Sequence, residues 1–167
     1  MSENIRIQEK YLDILPHRHL VTLNLEVDFA KMTVIGATPN GLRRIAPVVG
    51  GAFSSERLNG VVQPGADWVL DRHDGVMEID VRLVLETFDL ALIYLSYSGR
   101  FLAGTDARKR FKRGELLQEE EYSLVINTRF ECGHDRYSWL NNTIAVGVGT
   151  QTLTGPSYQI FEIGNVV

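Results

Sequence analysis

The chain has 167 residues, 44% of them hydrophobic and 23% charged, with a formal charge of -4 at pH 7. These proportions suit one globular domain with its own core and exclude disordered, coiled-coil and collagen-like chains. The acidic balance gives no general attraction to nucleic acid or anionic lipid, because the one basic run, Arg108 to Arg113, is answered by Glu119 to Glu121.

The first residues, MSENIRIQEK, are polar where a signal peptide needs an apolar run. No segment approaches the ~20 apolar residues that span a bilayer. The single cysteine, Cys132, leaves no partner for a disulfide within the chain. The expectation is a soluble, cytoplasmic protein with neither membrane nor nucleic acid among its partners.

Residues 1–18 read as an N-terminal extension and 19–167 as one domain. In chain order, Val21 to Val27 alternates, with Val21, Leu23, Leu25 and Val27 on one side. Turn signals follow at 38–41 (TPNG) and 49–51 (VGG), and Gly60 marks a bend or bulge beside a strand pattern. After further turns at 63–67 (QPGAD) and 72–75 (RHDG), Val76 to Glu86 alternates strictly. Met77, Ile79, Val81, Leu83 and Leu85 are apolar, while the intervening positions include Glu78, Asp80, Arg82 and Glu86. A turn signal at 97–100 (YSGR) precedes a helix expected over Asp106 to Lys112, with Asp106 capping its start and Gly114 its end. Alternation returns over Tyr122 to Glu131, then in NTIAVGVGT and, after TGPS at 154–157, in SYQIFEI. Many evenly spaced short strands with one short helix predict an all-β fold. The glycines inside strand patterns favour a closed single antiparallel β-barrel over a sandwich, since closure removes exposed edges.

The stretches GLRRIAPVVGGAF, LNGVVQPGADWVLDRHDGVMEIDVRL, ALIY and RFECGHDRYSWLN together resemble the DUF3237 family, also called UPF0311. The likeness runs in order from about Leu23 to Ile163. It implies a calycin-type (lipocalin-like) barrel over 19–167, and it directs attention to Arg43, Arg44, Asp67, Trp68, Asp80, Arg82, Glu131, Tyr137, Trp139 and Asn141, with Tyr94 in ALIY. Three positions depart from the family pattern. Leu90 stands where glycine is common, and Asn127 and Cys132 stand where proline and threonine are usual.

Chemically, Asp80 and Arg82 project from the same face of their strand, roughly 6 to 7 Å apart, so they can pair or grip one ligand between them. That face looks either to solvent or into a cavity, and the family match places it toward the cavity. Asp67 and Trp68 lie on opposite faces, so only one points inward. Either Asp67 caps the turn while Trp68 fills the core, or Trp68 stacks on a ligand. Arg129 and Glu131 repeat the same-face spacing of opposite charges. Tyr137, Trp139 and Asn141 form either a ligand-stacking end or an aromatic plug. Of the two adjacent arginines, Arg44 is taken as the inner one because it neighbours Ile45 and Pro47.

His17 and His19 have strand-ligand spacing but no third ligand, so no metal is expected. Cys132 beside His134 does not by itself make a nucleophile pair. There is no nucleophile elbow, phosphate loop or dinucleotide fingerprint, and no cofactor is expected. Two functions stand. One is a cofactor-free isomerase, cyclase or lyase/hydratase, acting by acid–base catalysis on an aromatic or carbonyl-bearing small molecule. In it Asp67, Asp80, Arg82 and Glu131 are catalytic, and Arg44, Trp68, Tyr94, Arg129, Tyr137, Trp139 and Asn141 bind ligand. The other is a carrier barrel for an apolar ligand. A homo-oligomeric contact through outer apolar positions is a further expectation.

Overall fold

The computed structural model describes residues 15–164, which form a closed antiparallel barrel of eight staves. The first stave, β1 (His17–Val27), begins inside the segment read as an extension. It is followed by β2 (Thr33–Thr38), β3 (Gly41–Ser54), and the short β4 (Asn59–Val62), β5 (Gly65–Asp67) and β6 (Leu70–Asp71). The long β7 (Met77–Thr87), β8 (Leu92–Ala103) and β9 (Tyr122–Cys132) come next, then β10 (Ala145–Gln151) and β11 (Pro156–Ile163). Around the ring the order is β1, β11, β10, β9, β8, β7, then β4, β5 and β6 together as one stave, then β3, which pairs again with β1. β2 lies outside the ring on the extended start of β3.

Alternation decides what fills the barrel. In β7 the apolar positions Ile79, Val81, Leu83 and Leu85 are all buried, and they meet Leu95, Phe130, Ile126 and Ile160 from other staves in one core. Each buried aliphatic side chain contributes about 1.5–3 kcal/mol relative to exposure. Two expected turns are absent. Residues 49–51 continue β3, where an extra residue shifts the register against β1 and changes the inward side from Ala46 and Val48 to Phe53. Residues 97–100 run straight through β8.

The one α-helix among the described residues, α1 (Thr105–Lys112), lies within a residue of its expected start, but its cap is Gly104 with no side-chain hydrogen bond. Asp106 lies in its first turn and favours the helix dipole instead. Gly114, at φ 82°, ends it as expected. Phe111 stacks on Phe101 at 4.6 Å and docks α1 over one end of the barrel. The opposite end is plugged by a 3-10 segment, Asp135–Asn142, that strand periodicity did not suggest. No helix among the described residues is long and apolar enough to cross a membrane.

Between β7 and β8 the chain turns at Leu90, which has φ 66°, the only described non-glycine residue in the left-handed region. Its side chain is exposed, so it gains little burial there. Leu90→Gly, which removes the Cβ from that backbone, is expected to stabilise the fold by about 1 kcal/mol and raise Tm by roughly 2–4 °C. A lower Tm in calorimetry would show that the turn carries no strain.

Candidate active site

Directly opposed residues in an antiparallel ladder share a face, and this rule runs a row of side chains around the interior. Ala46 opposes Asp67, Asp67 opposes Val81, Val81 opposes Tyr97, Tyr97 opposes Thr128, and Thr128 opposes Ala145. Ala46, Val81, Tyr97 and Ala145 are buried, so the row is internal and Asp67 points inward. Tyr158, from β11, crosses the barrel to meet the Tyr97 ring edge-on at 5.4 Å. Tyr97 and Tyr158 are only 4% and 1% exposed, so their hydroxyls depend on partners inside the protein.

Asp67 as a residue keeps some surface, but its carboxyl group is crowded by the barrel wall. Burial pushes its pKa up to about 7. The charge of Asp80 adds to that rise, while the Asp80 backbone N–H, donating to Asp67 Oδ1 at 3.0 Å, and the more distant Arg44 and Arg43 oppose it. Burial also raises both tyrosines well above the usual phenol range, with the Asp67 charge reinforcing the effect. Both phenols therefore stay protonated across the physiological range.

One inward position along β3 from Ala46 lies Arg44, nearer the α1 end. Its Nη2 approaches Asp71 Oδ2 at 2.7 Å. The approach is a close ion pair but not an aligned hydrogen bond, and both Arg44 Nε and Asp71 Oδ2 remain buried without a hydrogen-bond partner. They border a cleft of about 330 Å³ beneath α1, whose walls include Met77, Phe101, Arg108 and Phe111. A more open groove of about 530 Å³ runs along the other side of α1, past Asp74, Tyr122 and Ser123.

The remaining expected site residues do not converge here. Asp80 and Arg82 project from the outer face of β7 with side chains 46% and 49% exposed, 3.4 Å apart. The expectation that they face a cavity is corrected: the apolar odd positions of β7 occupy the interior, and the even positions have nowhere to point but out. Arg82 lies over the Trp68 ring at 5.2 Å, so Trp68 is outside as well and the expected roles of Asp67 and Trp68 are reversed. Arg129 and Glu131 form an exposed pair on β9, with half-buried Tyr94 opposite Glu131 on the same outer face.

Tyr137, Trp139 and Asn141 belong to the plug at the far end. Tyr137 donates to Asp89 Oδ1 at 2.8 Å, Trp139 lies under Arg57, and Asn141 brackets the Cys132 backbone with two 2.8 Å hydrogen bonds. Arg57 also reaches buried Glu162, which receives Arg18 too, so this end is tied by ions as well as by rings. His17 and His19 flank Phe161 edge-on. Among the described residues no three His, Cys, Asp or Glu side chains gather as a metal would require. The His134 ring accepts from the Arg136 N–H and does not address the Cys132 thiol.

Of the residues singled out from sequence, the structure therefore brings only Asp67 and Arg44 to the inner face. It adds Tyr97, Tyr158, Asp71 and the α1 cleft. Tyr97 could have been found by extending the Ile93, Leu95 alternation, and Tyr158 by its place two before Ile160.

A closed antiparallel barrel with a buried carboxyl below a capped mouth defines the class of protein. The model of the DUF3237 family, described as a protein of unknown function, matches residues 17–163, and the chain belongs to that family. The UPF0311 protein RPA1785 of Rhodopseudomonas palustris is 32% identical over 117 residues, spanning 70% of this chain and 76% of its own. Its crystal structure superposes with a TM-score of 0.85 at 26% identity, covering 90% of this chain and 99% of that one. A β-barrel-like protein of Acinetobacter baumannii aligns with a TM-score of 0.76 at 31% identity, covering 92% and 99%. A protein of Penicillium herquei described as an enzyme shares the fold, with a TM-score of 0.67 at 17% identity over 90% and 95% of the two chains.

Proposed function

We propose that the chain is a cofactor-free small-molecule enzyme of the isomerase, cyclase or lyase/hydratase type, in which Asp67 moves a proton on an aromatic or carbonyl-bearing compound. The observation that carries this reading is the buried Asp67 carboxyl, with its pKa about 7, beside two buried phenols. A base is most effective when its pKa lies near the working pH, and at pH 7 about half of this carboxyl is ionised. The carboxylate takes a proton from the carbon next to a carbonyl, and the electron pair moves onto the carbonyl oxygen. The phenols stay protonated and so act as hydrogen-bond donors to that oxygen. Asp67 then returns its proton to another carbon. The substrate enters from the Arg44 cleft, one inward position along the barrel from Asp67. The enzyme described from Penicillium herquei shows only that this fold can carry catalysis, and the reading here does not borrow its reaction.

The test is exchange in D₂O, followed by NMR, with phenolic ketones and enones. Deuterium should enter next to the carbonyl in the presence of the protein, with a rate that climbs with pH and levels above about 7. Absence of exchange in every compound shown to bind would overturn the reading. A carrier barrel is the second reading, favoured by the aliphatic residues that fill most of the interior; it requires Asp67 to titrate like an ordinary carboxyl.

A further inference from the structure

The cleft beneath α1 differs in charge from the protein as a whole. Its lining brings together Arg44, Arg72, Arg108, Lys109 and Lys112, with Asp71 as the only carboxylate among the lining residues. Arg72 is already engaged by Asp74 and Glu78, and Arg44 is half-engaged by Asp71. Arg108, Lys109 and Lys112 have no carboxylate partner among the described residues, although the chain is acidic overall. Arg108 also lies against the turn before β7, where a Cβ on Gly75 would overlap its guanidinium. The Gly75 backbone, at φ 86°, thus serves both the turn and the seating of α1.

The apolar part of the lining is equally specific. Phe101 and Phe111 stack with an interplanar angle of 28°, and Met77 lies beside Phe101 in the ladder. A flat wall of rings and a soft thioether suits a planar aromatic ligand. The Arg44 guanidinium, 19% exposed, borders the cleft and is only partly compensated by Asp71, so it leaves positive charge for a ligand to meet. A carboxylate is the natural counter-charge for that guanidinium and the cationic rim, and a volume of about 330 Å³ is at the small end for ligand sites.

We infer that this cleft holds a small aromatic carboxylate, with its carboxylate facing the Arg44 guanidinium under the Lys109 and Lys112 rim and its ring against Phe111 and Met77. The assignment deepens the acid–base reading by naming the anion that would orient a substrate above Asp67, and it rests on that reading only for what happens next. Arg44 is then a binding residue, and α1 is the part of the fold that sets substrate charge.

The test is an amide-resolved NMR titration of the full chain with 4-hydroxybenzoate, 4-hydroxybenzamide and inorganic phosphate. The acid should bind at least tenfold more tightly than the uncharged amide, with shifts confined to Arg44, Met77, Phe101 and α1. Lys109→Gln with Lys112→Gln, on the exposed helix surface, should weaken it roughly three- to tenfold, and Arg44→Met should abolish the preference. Equal binding of acid and amide would overturn the inference, as would competition by phosphate as effective as by the acid, an unchanged affinity in the lysine double variant, or shifts located elsewhere. Because the lysines lie at the rim, their variant keeps the result interpretable even if Arg44→Met fails to fold. Asp67→Asn separates the two readings. Retained acid preference with unimpaired exchange in this variant would remove the proton-transfer role and leave the cleft, whereas equal binding of acid and amide by the parent protein, with exchange lost in Asp67→Asn, would do the reverse.

Discussion

Asp67→Asn is expected to lose at least 100-fold in deuterium exchange while becoming more stable than the parent protein at pH 8. The first effect follows from removing the group that accepts the proton. The second follows from linkage. Burial raises the folded-state pKa of Asp67 from the usual 3.8 to about 7. Between those values the folded chain retains a proton that the unfolded chain has released, so stability falls as pH rises from about 4 to 7 and is level above. For this one group the loss is on the order of 2 kcal/mol, once the part of the residue that still meets solvent is allowed for. Asparagine keeps an oxygen for the Asp80 N–H without burying a charge. Urea unfolding of both proteins at pH 4 and pH 8 isolates the effect, because every other titrating group is common to the two. A variant less stable than the parent at pH 8 would mean that the carboxylate is better satisfied in the wall than its surroundings suggest.

The second large effect is expected at Gly60. It opposes Thr87 on β7 and Phe53 on β3, within the composite stave. A Cβ there would overlap the Glu86 carbonyl oxygen and lie 2.6 Å from Phe53 Cζ and 2.8 Å from Thr87 Cα. Two of these three atoms are backbone and cannot swing aside. Gly60→Ala should therefore cost about 3 kcal/mol and lower Tm by roughly 6–12 °C. Adding Phe53→Leu relieves the ring contact only, so it should recover little. An unchanged Tm in the single variant would show that β4 can move off β7 without penalty.

Gly60 also illustrates how much the sequence disclosed. Its position beside a strand was visible, but the reason, close approach of two backbones and a ring, is a tertiary fact. Alternation revealed β1, β7, β9 and β11, and their number favoured the barrel. The likeness to the family points Asp80 and Arg82 inward, but Ile79, Val81, Leu83 and Leu85 already make a complete inner face and leave them outside. Arg44 was placed on the inner face by its neighbours, and Arg43 does lie opposite, donating to the Trp68 carbonyl. The cluster of Asp67, Tyr97 and Tyr158 draws on β5, β8 and β11. Only the register of the ladders around the ring brings those residues together, and no local pattern encodes it. The 3-10 plug buries only Tyr137 and Leu140 and so carries little periodicity in its sequence.

The ring is completed by β1, which pairs with β11 on one side and β3 on the other. Val21 finds its partner in Ile160, so during synthesis the first stave must wait for the last, an interval on the order of ten seconds at ordinary elongation rates. Throughout that interval β1 can zip onto β3 while its other edge stays unpaired, and β7, β8 and β9 can assemble as a growing meander. The nascent chain is therefore an open, curling sheet with one adhesive edge at each side, and the step that removes both edges comes at the end. Mutations that weaken the β1–β11 seam should show themselves first as a longer lifetime of that open sheet, and hence as aggregation during expression, before they register as a lower melting temperature of the finished barrel.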